Sequence, residues 1–105
     1  MPKVYVINKS GHDFSEAENF GDLCYLSEGS INRYAIARMY REFCGTLNKS
    51  QPSDYLLITG LTVMCSIACS IFARLHGRLN LLIFRNGKYV ERKLILDDLL
   101  ERRDK

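Results

Sequence analysis

A histidine and an aspartate stand side by side at His12 and Asp13, in the polar stretch Lys9-Ser10-Gly11-His12-Asp13 that interrupts apolar sequence. An imidazole beside a carboxylate can move protons to and from a substrate, and with one more carboxylate it can hold a divalent cation. Glu28, in the second polar stretch Ser27-Glu28-Gly29-Ser30, is placed to supply that carboxylate. His12, Asp13 and Glu28 are therefore the candidate catalytic residues, and the enzyme they suggest is a hydrolase or a glycosyl transferase. Asp13 also has a structural explanation, because Glu16 follows it at the spacing of a helix capping box. The box is the more specific pattern, so a cap is the favoured reading of Asp13 and a non-enzymatic role the favoured reading of the chain. No Gly-x-Ser-x-Gly element marks an activated serine. Cys65 and Cys69 are one helical turn apart, yet two further ligands at a recognisable metal-site spacing are missing, and no metal is expected.

Three stretches combine glycine with hydroxyl or amide groups: Asn8, Lys9, Ser10, Gly11 and His12; Glu28, Gly29 and Ser30; and Thr59, Gly60 and Thr62. Glycine lets backbone N–H groups approach a ligand closely while the polar side chains donate and accept hydrogen bonds. Turns and helix caps need the same residue types, which is the competing explanation. Neither G-x-G-x-x-G nor G-x-x-x-x-G-K-S/T follows a strand-like run, so the usual dinucleotide and triphosphate sites have no support and no cofactor is expected. What remains is a looser site for a small polar or phosphorylated, nucleotide-like ligand, with a helix N-terminus at Thr62 to receive an anion.

The elements that must position these residues follow from hydrophobic periodicity. Short apolar runs predict strands over 3–8, 22–27, 55–59, 79–84 and 89–96. A short helix is predicted from Asp13 to Gly21. A longer one is predicted over 31–47, with Ser30 as its N-cap, Ile36, Met39, Tyr40, Phe43 and Leu47 on its apolar face, and Arg33, Arg41 and Glu42 in water. The stretch 61–76 is apolar on almost every face and ends at the C-cap signal Gly77. Arg85-Asn86-Gly87-Lys88 reads as a two-residue type I′ hairpin turn, which makes the last strand antiparallel to the one before it. Residues 97–105 read as a capped turn of helix or a frayed tail.

Strands alternating with crossover segments give an α/β protein. The expected architecture is a small Rossmann-like three-layer domain over 1–105, with a mostly parallel five-stranded sheet in the order 2-1-3-4-5 and an antiparallel edge strand. In such sheets ligands bind outside the carboxyl ends of the strands, where the three glycine-bearing stretches meet. The run Asp54-Tyr-Leu-Leu-Ile-Thr-Gly-Leu-Thr62, followed by a small-residue helix, is similar in rhythm to small Rossmann-like sensor and transferase domains, and no residue roles are transferred from them.

With 105 residues, 47% of them hydrophobic and 26% charged, the chain has enough apolar surface for one core and does not have the composition of a disordered, collagenous or coiled-coil protein. The longest nearly apolar stretch, 61–73, is too short for a bilayer, and the first residues lack a signal-peptide pattern. Cys24, Cys44, Cys65 and Cys69 lie in apolar periodic segments and read as buried free thiols, which points to a reducing, cytoplasmic setting.

The net charge of +3 conceals an asymmetry. Residues 10–30 carry five carboxylates and no Lys or Arg, whereas 74–93 carry six basic residues against Glu91 alone. Arg85, Lys88, Tyr89 and Arg92 on the terminal hairpin are a candidate interaction patch for an acidic protein, nucleic acid or a second copy of the chain, so the protein could also act as a charge-driven interaction factor or inhibitor. The same charges also guard an edge strand against aggregation, and the overall charge is low for a dedicated nucleic-acid binder. Tyr34, Arg38, Tyr40 and Arg41, together with the apolar helix, suggest a homo-oligomer packed through helices, in which a core-facing Arg38 would need an acidic partner.

Overall fold

The structure is a computed structural model that describes residues 1–96. The chain runs β1 (Lys3–Val6), a 3-10 turn (Ser15–Asn19), β2 (Asp22–Tyr25), α1 (Ile36–Leu47), β3 (Tyr55–Leu57), α2 (Thr62–His76), β4 (Arg78–Arg85) and β5 (Lys88–Ile95). The turn or tail expected over 97–105 lies outside the described residues.

The five strands form one sheet in the order β2-β1-β3-β4-β5, parallel from β2 to β4, with β5 antiparallel at the edge. Right-handed crossovers dictate where the covering elements go. The step from β1 to β2 runs one way along the sheet, and the steps from β2 to β3 and from β3 to β4 run the other way. The 3-10 turn therefore lies on one face and both helices lie on the opposite one.

Register sorts the core accordingly, because alternate residues of a strand point to opposite faces. Tyr5, Leu56 and Leu81 are in register on the helix face, where Met39, Phe43 and Leu47 of α1 and Met64, Ala68, Ile71 and Phe72 of α2 pack. Val6, Leu57 and Leu82 form the neighbouring row on the other face, covered by Phe14 and Ala17 of the 3-10 segment. The third layer is thus a single short turn, and the cover over β4 and β5 on that face is thin.

Several local expectations change. The helix expected from Ile31 starts at Ile36, because Asn32 forms a turn of its own: its side-chain oxygen accepts from Tyr34 N–H at 3.0 Å and its carbonyl accepts from Ala35 N–H at 3.1 Å. Ser30 therefore caps nothing, and of the expected apolar face only Met39, Phe43 and Leu47 are buried, while Ile36, in the first turn, and Tyr40 are exposed. The expected capping box does not form: Asp13 Oδ1 accepts from Ser15 N–H at 2.9 Å and not from Glu16, and the N-cap position of the 3-10 turn belongs to Phe14, with no side-chain cap. Arg38 does not face the core; it is exposed and pairs with Glu42 one turn on at 3.1 Å, so the buried-arginine argument for a helix-packed oligomer falls. The four cysteines are free but only partly buried. Burial still pushes the Cys69 thiol up to about 11.

Polar groups brace the amino ends of the strands. Asn80, only 1% exposed in the middle of β4, donates to the carbonyls of Pro52 at 2.7 Å and Asp54 at 2.8 Å. Buried Asp54 in turn accepts from the N–H groups of Lys3 at 2.9 Å and Gln51 at 2.8 Å. The buried Asp54 carbonyl finds a donor this way, and the connector before β3 is tied to both of its neighbours.

Candidate functional site

Beyond their last ladder residues, β1 and β2 stay joined. Lys9 N–H donates to Ser27 O at 2.7 Å and Gly29 N–H to Lys9 O at 2.9 Å, so a bridge between Lys9 and Glu28 prolongs the pairing. Side chains complete the seam. Ser27 Oγ lies 2.7 Å from Ile7 O and 2.9 Å from Asn8 Oδ1, and the Asn8 amide donates to Gly29 O at 3.2 Å. Asn8 is buried, so these bonds hold the two polar loops as one rigid lip.

On the helix side of that lip lies a cleft of about 270 Å³ lined by Asn8, Gly29, Ser30, Ile31, Arg33, Gly60, Leu61 and Met64. Four of these, from the three loops leaving β1, β2 and β3, belong to the ligand set expected from sequence. Gly60 has a φ of +90°, and a Cβ on it would stand 3.0 Å from the Asn8 Cβ, so glycine is needed there both for conformation and for room. The cleft opens onto the start of α2. No side chain caps that end: the N-cap is Leu61, whose carbonyl accepts from both Met64 and Cys65 N–H. The Thr62 and Val63 N–H groups precede any carbonyl the helix could offer them and carry the positive end of its dipole. Cys65 Sγ, 3.5 Å from Thr59 O, fastens this turn to the strand end.

Arg33 is the cation that the sequence reading left in water on a helical surface. The late start of α1 puts it in the loop that lines the cleft. It was missed because the apolar period of α1 extends back to Ile31 and hides the turn at Asn32.

A second cavity, of about 380 Å³, lies on the opposite side of the end of β3, where the third layer is thin. His12, Asp13 and Thr59 line it with Phe14, Leu57, Ile58, Phe84 and Tyr89. Its walls are aromatic: the His12 and Phe14 rings meet edge-on with centroids 6.3 Å apart, and those of Phe84 and Tyr89 with centroids 5.2 Å apart. Hydrogen bonding from Ser15 holds the Asp13 carboxyl below its ordinary pKa, and burial with the Asp13 charge nearby raises that of Tyr89. Phe84 and Phe14 went unmarked in the sequence because an apolar residue in a strand or beside a helix reads as core.

The residues expected in one pocket are thus divided by the sheet. Glu28 is exposed on the lip and lines neither cavity, so it is not grouped with His12 and Asp13. Lys9 Nζ stands 5.0 Å from the centre of the Tyr25 ring. Ser10 Oγ is buried without a hydrogen-bond partner among the described residues, Gly11 is exposed, and Thr62 sits in the first turn of α2 with its carbonyl accepting from Ser66 Oγ at 3.0 Å. Among the described residues no group of three or more His, Cys, Asp and Glu could hold a metal ion.

On the hairpin, Asn86 and Gly87 have φ of 51° and 81°, as a type I′ turn requires. Alternation along β5 sets Tyr89 on the opposite face from Lys88 and Arg92, so the expected patch of Arg85, Lys88, Tyr89 and Arg92 keeps its three cations together and loses its aromatic member to the His12 cavity. No helix among the described residues is long and apolar enough to cross a membrane.

No curated protein and no solved structure matches the chain at a significant level. The model of one family, described as phage Pam3 gp32-like protein, matches residues 2–95, a stretch that takes in all five strands, both helices and the linings of both cavities. The chain belongs to the phage Pam3 gp32-like protein family.

Proposed function

We propose that the protein is a small binding module whose ligand is a small polar molecule carrying a phosphate or carboxylate, nucleotide-like compounds among them, held in the cleft between the β1, β2 and β3 loops and the start of α2. One observation carries the reading: Asn8, Gly29, Ser30 and Gly60 converge from three loops on a single cleft that also receives Arg33. The five carboxylates of residues 10–30 repel an anion at this edge, and Arg33 together with the uncapped α2 terminus supplies positive charge against them. Ser30 does not cap α1, which removes the bland explanation for that residue. Size narrows the class, since about 270 Å³ is below the roughly 300 Å³ at which drug-sized pockets begin. A phosphorylated sugar or the phosphate end of a mononucleotide matches a cleft of this size. Thermal shift against a panel of nucleotides, sugar phosphates and carboxylates tests the reading: stabilisation by phosphorylated members, absent with their dephosphorylated forms, supports it, and a flat response across the panel contradicts it.

The larger cavity supports an enzymatic second reading. His12 and Asp13 stand at an aromatic-lined chamber on the other side of β3, and an imidazole next to a carboxylate held ionised by Ser15 can serve as acid and base. In that reading Glu28 takes no part. Loss of any hydrolase or glycosyl transferase activity in Asp13→Asn, with phosphate-ligand binding kept, would favour it over the cleft.

A further inference from the structure

β5 ends the sheet, and among the described residues no strand pairs with its outer edge. The ladder with β4 fixes which groups face that edge. Leu96 N–H donates to Gly77 O at 3.0 Å, and antiparallel ladders alternate bonded and non-bonded pairs. With the register running from Arg78 opposite Ile95 to Arg85 opposite Lys88, the even-numbered residues of β5 bond to β4. Tyr89, Glu91, Lys93 and Ile95 are left with their N–H and C=O groups pointing outward. Leu94 on this strand is 46% exposed, and on neighbouring β4 Ile83 and Phe84 are 41% and 58% exposed.

We propose that this edge binds a second copy of the chain, β5 against β5 in antiparallel register about a two-fold axis at Arg92, joining two sheets into one of ten strands. A two-fold axis normal to the sheet keeps each residue on its own face, so it can pair odd positions only with odd and even only with even. Centred on Arg92, it sets Glu91 opposite Lys93 of the second copy, Val90 opposite Leu94 and Tyr89 opposite Ile95, each pair occurring twice. The Glu91–Lys93 and Tyr89–Ile95 pairs are the ones whose backbone groups face the edge; the Glu91 carbonyl accepts from the Arg92 guanidinium at 2.8 Å, an exposed bond that pairing with the second copy would replace.

Neighbouring registers fail on chemistry. Centring on Glu91 puts Glu91 against Glu91 and Val90 against Arg92; centring on Lys93 puts Lys93 against Lys93 and Glu91 against Ile95. Opposite charges and apolar partners facing each other stabilise a strand pair, and like charges weaken it. The Arg92 register leaves one like pair, Arg92 with itself, at an exposed position where salt screens it.

The rows continue across both molecules. On the helix face Leu79 and Leu94 of one copy meet Val90 and Ile83 of the other. On the opposite face Ile95 of one copy meets Tyr89 and Phe84 of the other. Leu94 thereby gains Val90 of the other copy as a cross-strand neighbour, and the pairing consumes the edge of β5 that is unpaired among the described residues, so it closes at two copies instead of propagating from it.

Sedimentation of the full chain over a concentration series tests this. The wild type is expected to approach twice its 12.1 kDa as concentration rises. Glu91→Lys and Lys93→Glu each place like charges opposite one another twice, and each is expected to weaken self-association about tenfold or more. Mixing the two variants restores both ion pairs in the heterodimer, so the mixture is expected to associate more tightly than either variant alone. Glu91 also lies beside the Tyr55 hydroxyl. Should Glu91→Lys not fold, Lys93→Glu against the neutral Lys93→Gln carries the test, with the acidic variant expected to associate more weakly. A wild type that remains monomeric throughout, or a dimer indifferent to these charge changes, overturns the proposal.

Discussion

The buried Asn8 amide donates to the carbonyl of exposed Gly29, 21 residues on, across a distance of 3.2 Å. Through this bond the loop after β1 holds the loop after β2 in place, and both line the cleft. Asn8→Ala removes it together with the contact to Ser27 Oγ, two bonds that join the loops, while Ser27 Oγ keeps its bond to Ile7 O. The expected loss is about 1–3 kcal/mol of stability in urea titration, with a weaker response to the phosphate ligand than the loss of stability alone would cause.

Gly60→Ala should damage the same place by a different route. At φ +90° an L side chain is strained, and its Cβ would press on Asn8 at 3.0 Å. A destabilisation of about 1–3 kcal/mol is expected, with ligand binding reduced because the two sides of the cleft are forced apart. Chemical denaturation and ligand thermal shift on the same samples check both effects.

Asn80→Leu keeps the volume of the side chain and removes its donors. The carbonyl of buried Asp54 would then lose its donor, and that of exposed Pro52 would turn to water, at an expected cost of about 1–3 kcal/mol. Ligand binding by the remaining folded protein should be unchanged, because the site lies at the opposite end of the strands. Equilibrium unfolding combined with ligand titration separates the two quantities.

His76 gives the fold a pH dependence of definite sign. Its ring nitrogen is 2.8 Å from Ser50 Oγ, and burial lowers its pKa from the ordinary 6.5, against a smaller opposing pull from Asp54. The unfolded chain therefore takes up the proton first as pH falls, so stability should start to drop below about 6.5 and level off once the folded form is also protonated. Asp13, whose pKa is lowered from 3.8, adds a separate loss only in more acid solution. Melting temperature against pH should show the upper step in the wild type, and His76→Gln should remove that step alone.

How much of this was legible in the sequence depends on the range of the forces involved. Strand order, the antiparallel hairpin and the central place of β3 follow from period, from Asn86-Gly87 and from the apolar run Tyr55-Leu-Leu, all local signals that the tertiary structure respects. The start of α1 did not follow, because the Asn32 turn competes with helix over residues whose apolar spacing is helical. That one competition moved Arg33 from a helix surface into the cleft. The separation of His12 and Asp13 from Glu28 was likewise beyond reach, since it depends on which side of the sheet each loop leaves from, and only the crossover geometry decides that. Asn80 was readable in principle as a lone amide within Leu-Asn-Leu-Leu-Ile, although its partners at Pro52 and Asp54 were not.

The reading of the cleft rests on Arg33, which is exposed and pairs with no carboxylate among the described residues, so its removal should leave the fold intact to within about 0.5 kcal/mol. Calorimetric titration of the wild type and of Arg33→Ala with the phosphorylated compound that gives the largest thermal shift is the most direct test. The account predicts binding by the wild type that falls about tenfold or more in the variant at unchanged melting temperature, as expected for one lost charge-assisted contact. Equal affinity in the two proteins would contradict it.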